Sequence, residues 1–404
     1  MTLVKYVERK NTSCLKWDGL QEHFSSGNLL PLWVADMDFS TPDCVQEALK
    51  KYIGIGAYGY YATSDAYYNA FISWQKKRFG AEIQRDWIRF SPGVVSGFNW
   101  LTNIMTEPGD PVVLLTPVYY PFFAAVENNG RTLVSVDLLN DEGKYSIDFA
   151  ALEDTIEKSG AKALIFSSPH NPIGRVWTAD ELERILQICY ENGVFLICDE
   201  IHQDFVYGSR RQIPMCMIAE QLKTKKGYGK IDGQYAMLAA PSKTFNLAGC
   251  QNSFVMIPDE SVREKWDRFA EGISVTDGNG FGYVAAQAAY EGGEAWLEEL
   301  KEIILGNYEY AKSAVQASFE KAIVPPLEGT YLMWLDLSAY VDENNIENFM
   351  EEKCGLAVDY GKWFRGTGNG SCIRINLATK QEIIEKAMAE LCKGLQEVVN
   401  ENNR

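Results

Sequence analysis

The sequence predicts an α/β fold: a doubly wound, mostly parallel sheet in a large domain, joined to a smaller α+β domain. Three observations predict it. Between about residue 88 and 257, short apolar runs alternate with longer amphipathic ones, as strands and crossover helices do. Several runs are near-continuously apolar, as strands covered on both faces require. After about residue 287 the pattern changes to long charged helices and isolated strands, and 404 residues with 46% hydrophobic content exceed what one core usually organises.

Taken in order, the expected strands of the large domain are Pro111 to Thr116, Arg131 to Val136, Ala161 to Ser167, Val194 to Cys198, Tyr235 to Ala239 and Ser253 to Ile257. Between them, TADELERILQICYEN reads as a crossover helix, with Thr178 capping it and Asn192-Gly193 ending it. The second domain is expected to hold a charged helix from Gly292 to Glu320, strands in TYLMWLDL and IRINLA, and a closing helix from Lys380 to Asn400. The segment before about residue 50 has no core of its own and is expected to pack with the C-terminal part. The division is then 51–286 for the large domain, with 1–50 and 287–404 forming the small one.

Composition narrows the partners. A formal net charge of -17 without any run of Lys and Arg offers no footprint for nucleic acid or an anionic membrane. Nine cysteines are scattered without a Cys-x-x-Cys, and none pairs with the three histidines as a metal site. They are expected to be reduced. The N-terminus lacks the apolar core of a signal peptide, and no stretch reaches the roughly 18 apolar residues of a membrane span, so the cytoplasm is the expected compartment.

Three polar residues follow successive buried runs. ALIFSSP leads into His170-Asn171-Pro172, FLIC ends in Asp199-Glu200, and YAMLAA ends in Pro241-Ser242-Lys243. Each alone has an ordinary reading: a turn, a strand-end cap, a snorkelling lysine. Together they suit pyridoxal 5'-phosphate (PLP). A lysine whose amine is freed by desolvation can hold the aldehyde, a carboxylate can keep the pyridine nitrogen protonated, and an amide can aim a donor at the ring hydroxyl.

The order and spacing resemble the aspartate-aminotransferase fold, fold type I of the PLP enzymes. Within it the chain is similar to the cystathionine β-lyase branch, which includes the maltose-regulon modulator and bacterial carbon-sulfur lyases. The motifs are PLWVADMDFSTP (31–42), AYGYYATSDAYYNAFISWQKKRFG (57–80), TPVYYPF (116–122), SSPHNPIGRVWT (167–178), DEIHQDF (199–205), PSKTFNLAG (241–249), GTYLMWLDL (329–337) and CIRINLAT (372–379). WVADMDF and DEIH are specific to the branch.

The resemblance implies roles. Lys243 is the Schiff-base lysine and then the base at Cα, Asp199 partners the pyridine nitrogen, and Asn171 bonds the ring hydroxyl. His202 stands where relatives often carry a second donor to that hydroxyl, and Tyr119 matches the aromatic lying on the ring. Arg374 matches the clamp on the substrate α-carboxylate; a planar fork suits that group. Tyr60 matches a tyrosine that reaches the phosphate of the neighbouring subunit, which implies a homodimer with shared sites. For the phosphate, Val94-Val95-Ser96 can open a helix whose amides face an anion, and Ser242 adds a hydroxyl. Two departures stand out: Gln251 replaces the phosphate-binding arginine usual in aminotransferases, and Ala240 replaces a common serine. Both favour the lyase branch. The activity implied is β-elimination from cystathionine or a cysteine conjugate, with transamination the alternative and regulation through protein contact a second one.

Overall fold

The computed structural model describes residues 2–402. Its centre is a seven-stranded sheet of β1 (Ile88–Ser91), β2 (Pro111–Thr116), β3 (Thr132–Asp137), β4 (Ala163–Ser167), β5 (Phe195–Asp199), β6 (Tyr235–Ala239) and β7 (Ser253–Met256). The spatial order is β1-β7-β6-β5-β4-β2-β3. Strand β7 runs antiparallel to both its neighbours, and every other pair is parallel. The six expected strands are all present, with ends displaced by two residues or fewer.

The apolar runs are continuous because both sheet faces are covered. Along β4 and β5, Leu164, Phe166, Leu196 and Cys198 enter one core, while Ala163, Ile165, Phe195 and Ile197 enter a second. Burying each large side chain contributes about 1.5–3 kcal/mol, which fixes the register against a one-residue slip. The expected crossover helix spans Ala179–Glu191, and its start is a reciprocal cap: Glu181 N–H donates to Thr178 Oγ1 at 3.3 Å and Thr178 N–H to Glu181 Oε2 at 2.8 Å. Leu182, Ile185, Leu186 and Cys189 form its buried face.

Two features differ from expectation. Strand β1 was not anticipated, because IRFS is a half-buried edge whose Arg89 faces outward to Asp267. The helix expected from Gly292 to Glu320 is present as Glu294–Gln316, and a further helix that the sequence reading did not name, Gly280–Gly292, precedes it and meets it at Gly293. A Cβ at Gly293 would lie 2.5 Å from the Phe245 ring, so this close approach requires glycine. Position 287 accordingly falls inside a helix.

A second, antiparallel sheet holds β8 (Leu332–Asp336), β9 (Asp359–Tyr360) and β10 (Cys372–Asn376), ordered β8-β10-β9. The N-terminal segment joins this part of the chain, since Leu30–Pro31 pairs in parallel with Leu356–Ala357. The closing helix is Gln381–Asn402. Among the described residues, no helix is long and apolar enough to cross a membrane.

Candidate active site

Strands β4, β5 and β6 are parallel and adjacent, so whatever follows their carboxyl ends is gathered at one edge. Asn171 follows β4, Asp199 ends β5, and Lys243 lies in the short helix Pro241–Thr244 after β6. All three line one cavity of about 170 Å³, together with Val94, Val95, Tyr119, His202 and Ser242. Eight of the eleven residues singled out from sequence therefore share a cavity. Ser96, Arg374 and Tyr60 do not line it.

Ser96 lies one turn into the helix Val94–Met105, whose first i→i−4 bond runs from Gly97 N–H to Gly93 O. The amides of Val94, Val95 and Ser96 precede that bond and carry the positive end of the helix. Tyr60 is fully exposed on the irregular stretch between the helices Asp43–Ile53 and Asp65–Phe79, with Tyr58, Ile53 and Ile55 exposed beside it. Arg374, on β10, is buried behind Asn171 and donates to Asn171 Oδ1 at 2.8 Å. Guanidinium can only donate, so this bond fixes the amide's orientation and leaves Nδ2 for the cavity.

Burial sets the charges. It lowers the Lys243 amine to about 8, with Arg374 lowering it further and Asp36 and Asp199 opposing. It raises Asp199 to about 7, against the Ile201 N–H that bonds Oδ1 at 3.0 Å and against Lys243. His202 is held neutral by burial and by Lys243 and Arg374, and its Nδ1 has no partner among the described residues. Glu200 points to the opposite side, where Met215 N–H donates to it at 2.8 Å. Burial raises it to about 8.

The WVADMDF motif forms a strap across this site. Lys243 Nζ donates to Ala35 O at 2.7 Å, and Tyr331 Oη donates to the same oxygen at 2.8 Å. Every carbonyl from Trp33 to Phe39 is bonded: Arg374 serves Trp33, Asn376 serves Val34 and Asp36, Arg9 and Asn246 serve Met37, Val7 N–H serves Asp38, and Asn246 serves Phe39. The strap's Asp38 pairs with Lys16 at 2.7 Å, both wholly buried. Sequence reading passed over this scaffold and over Asp359, which pairs with Arg374. Backbone acceptors leave no side-chain signal, and Asp359 lies in an otherwise unmarked VDYG.

The family comparison agrees with the resemblance drawn from the motifs. Residues 28–391 match the model of the family described as aminotransferase class I and II. The chain is 35% identical over 396 residues to cystathionine beta-lyase PatB of Bacillus subtilis strain 168, covering 97% of this chain and 100% of the relative. It is 31% identical over 400 residues to protein MalY of Escherichia coli K12, covering 98% of each. Among solved structures, the PLP-bound C-S lyase from Staphylococcus hominis matches with a TM-score of 0.89 at 32% identity, over 97% of both chains. The chain belongs to the aminotransferase class I and II family. It is a PLP-dependent enzyme, and its full-length relatives group it with the carbon-sulfur lyases.

Proposed function

We propose that the enzyme cleaves L-cystathionine or a related cysteine conjugate by β-elimination, giving pyruvate, ammonia and a thiol. The observation that carries this reading is the convergence of Lys243, Asp199 and Asn171 on one cavity whose floor is the open end of the helix Val94–Met105. The lining fits PLP in three independent respects. The carboxylate of Asp199 is buried and makes no ion pair among the described residues, the Nδ1 of His202 has no partner among them, and the uncapped start of the helix lines the same cavity as the Ser242 hydroxyl.

When bound, PLP supplies a sink for the electron pair left at Cα. The chain does the rest. Lys243 anchors the aldehyde, and its burial-lowered basicity suits it to take a proton from Cα once released. Asp199 holds the charge on the pyridine nitrogen, and that opposite charge in turn favours its ionised form. Asn171 Nδ2 and His202 would supply donors for the ring hydroxyl, Tyr119 a flat face for the ring, and Val94, Val95, Ser96 and Ser242 the donors for the phosphate. Arg374 orients the substrate α-carboxylate. Tyr60 would reach the phosphate of a second copy, in a homodimer that would cover the exposed tyrosine and isoleucine cluster around it.

Elimination is favoured over transamination by full-length similarity to lyases and by Gln251. That residue sits exposed in a left-handed conformation at the end of a short 3-10 turn, so no arginine reaches the phosphate from there. All nine cysteines are free thiols, which fits a reducing cytoplasm. Product analysis with cystathionine tests the reaction. Pyruvate, ammonia and homocysteine should form in equal amounts without added 2-oxo acid. Turnover that depends on a 2-oxo acid and yields no pyruvate would refute elimination.

A further inference from the structure

The positive fork of Arg374 is not open to solvent, because the chain already supplies it with a carboxylate. Asp359 on β9 is the register partner of Arg374 on β10, and their side chains are 0% and 1% exposed. One Nη2 of the guanidinium bonds Asp359 Oδ2 and, at 3.3 Å, the Trp33 carbonyl, while Nη1 holds Asn171. The Phe364 ring lies 4.9 Å from the guanidinium carbon. Yet the pair is unsaturated: Nε of Arg374 and Oδ1 of Asp359 have no partner among the described residues. A buried ion pair with two orphaned polar atoms is a poor stabiliser, which makes a purely structural role a weak account of it.

We propose that Asp359 is an internal stand-in for the substrate α-carboxylate: it positions the Arg374 fork in the free enzyme and yields part of that fork when a carboxylate arrives. The proposal rests on Arg374 being the carboxylate clamp. Two carboxylates then compete for one guanidinium, and the incoming one is admitted most easily when Asp359 carries a proton. Burial raises Asp359 to about 6, with Arg374 opposing, and a second negative charge beside it raises it further. Carboxylate binding therefore takes up a proton above that value, and affinity falls as pH rises.

Other groups face the pair. Tyr119 and Tyr120, from the turn after β2, and Tyr360, beside Asp359, all titrate far above this window. Tyr331 and His202 feel Arg374 and stay neutral through it. Without the cofactor Lys243 and Asp199 titrate near it; in the PLP-loaded enzyme the aldehyde would engage the amine and the pyridine nitrogen would hold Asp199 ionised, and both residues are retained in an Asp359→Asn variant. That variant therefore isolates the contribution of Asp359.

The test is calorimetric titration of the PLP-loaded enzyme with propionate, a carboxylate that has no amine to react. Wild type should bind it about tenfold more weakly at about pH 8 than at about pH 5.5, with proton uptake read from buffers of different ionisation enthalpy. Asp359→Asn should bind at the higher pH at least as tightly as wild type does at the lower one. Arg374→Lys should weaken binding in both backgrounds. A wild-type affinity independent of pH, or no proton uptake, overturns the proposal even if the variant does not fold. So does an Asp359→Asn variant no tighter than wild type at about pH 8, or a failure of propionate to bind at any pH. Pyruvate formation from cystathionine, followed on the same preparation, separates that failure from failure of the lyase reading.

Discussion

Thr244, the residue after the proposed anchoring lysine, donates its hydroxyl to the buried carboxylate of Asp204 at 2.7 Å. The other oxygen of Asp204 accepts from Trp74 Nε1 at 3.0 Å, with Arg78 at 3.6 Å. A helix of the large sheet's flank is thereby tied to the turn that presents Lys243. Asp204→Ala removes the acceptor from both donors and should cost about 2–4 kcal/mol in chemical unfolding. Asp204→Asn keeps one acceptor oxygen and should lose less. A loss below about 1 kcal/mol for the alanine variant would show that water replaces the carboxylate.

Glu200 allows the sign of a pH effect to be worked out. Its folded value, about 8, lies above the ordinary 4.5, so the folded chain binds more protons than the unfolded chain between those values. Stability therefore falls as pH rises through that window, and the penalty is fully present above it. Glu200→Gln keeps the oxygen that accepts from Met215 and cannot ionise. It should stabilise the protein by about 1–3 kcal/mol at about pH 8 and by almost nothing at about pH 5. Equal effects at the two pH values in thermal unfolding would contradict this.

Lys243→Ala should abolish the visible absorbance of the lysine-linked cofactor, because no other lysine lines the cavity. A chromophore that survives and is reduced by borohydride would move the anchor elsewhere. Asp199→Asn should retain PLP and lose most turnover with cysteine, since a neutral amide cannot hold the charge on the pyridine nitrogen. Near wild-type rates at saturating PLP would point to another acid.

Mixing Tyr60→Phe protein with Lys243→Ala protein tests whether sites are shared. If Tyr60 serves the partner's phosphate, each hybrid dimer has one site with both residues intact and one with neither. Activity per intact lysine should then exceed that of the Tyr60→Phe homodimer. No gain after confirmed subunit exchange would leave Tyr60 a packing residue at an interface.

What was legible in the sequence follows from where side chains report their surroundings. Strands β2 and β4 to β7 were legible because two cores make their residues largely apolar, and the edge strand β3 was legible from the alternation of apolar and polar residues in TLVSVD. Strand β1 was not, since one side of an edge strand is free to carry Arg89. The helix Gly280–Gly292 was not legible, because its run of glycine, alanine and aromatic residues carries little amphipathic pattern, and the approach of Phe245 explains the turn at Gly293 that follows it. Asn171, Asp199 and Lys243 could be found because a polar residue after a buried strand is conspicuous. Asp359 could not, because its meaning depends on a partner fifteen residues away on the next strand.

The strap from Trp33 to Phe39 also constrains the order of events as the chain folds. It is held by Arg9 and Lys16 from the start of the chain, Lys243 and Asn246 from the middle, and Arg374 and Asn376 near the end. Closing loops of 208 and 341 residues is entropically expensive until the intervening sheet has formed and brought their ends together. A chain still emerging from the ribosome can therefore complete the central strands while Ala35, the carbonyl partner of Lys243, still lacks the scaffold that holds the strap. Only after residue 376 is released can the strap gain its last donors, so the covering of the cavity by Ala35 is completed late in synthesis.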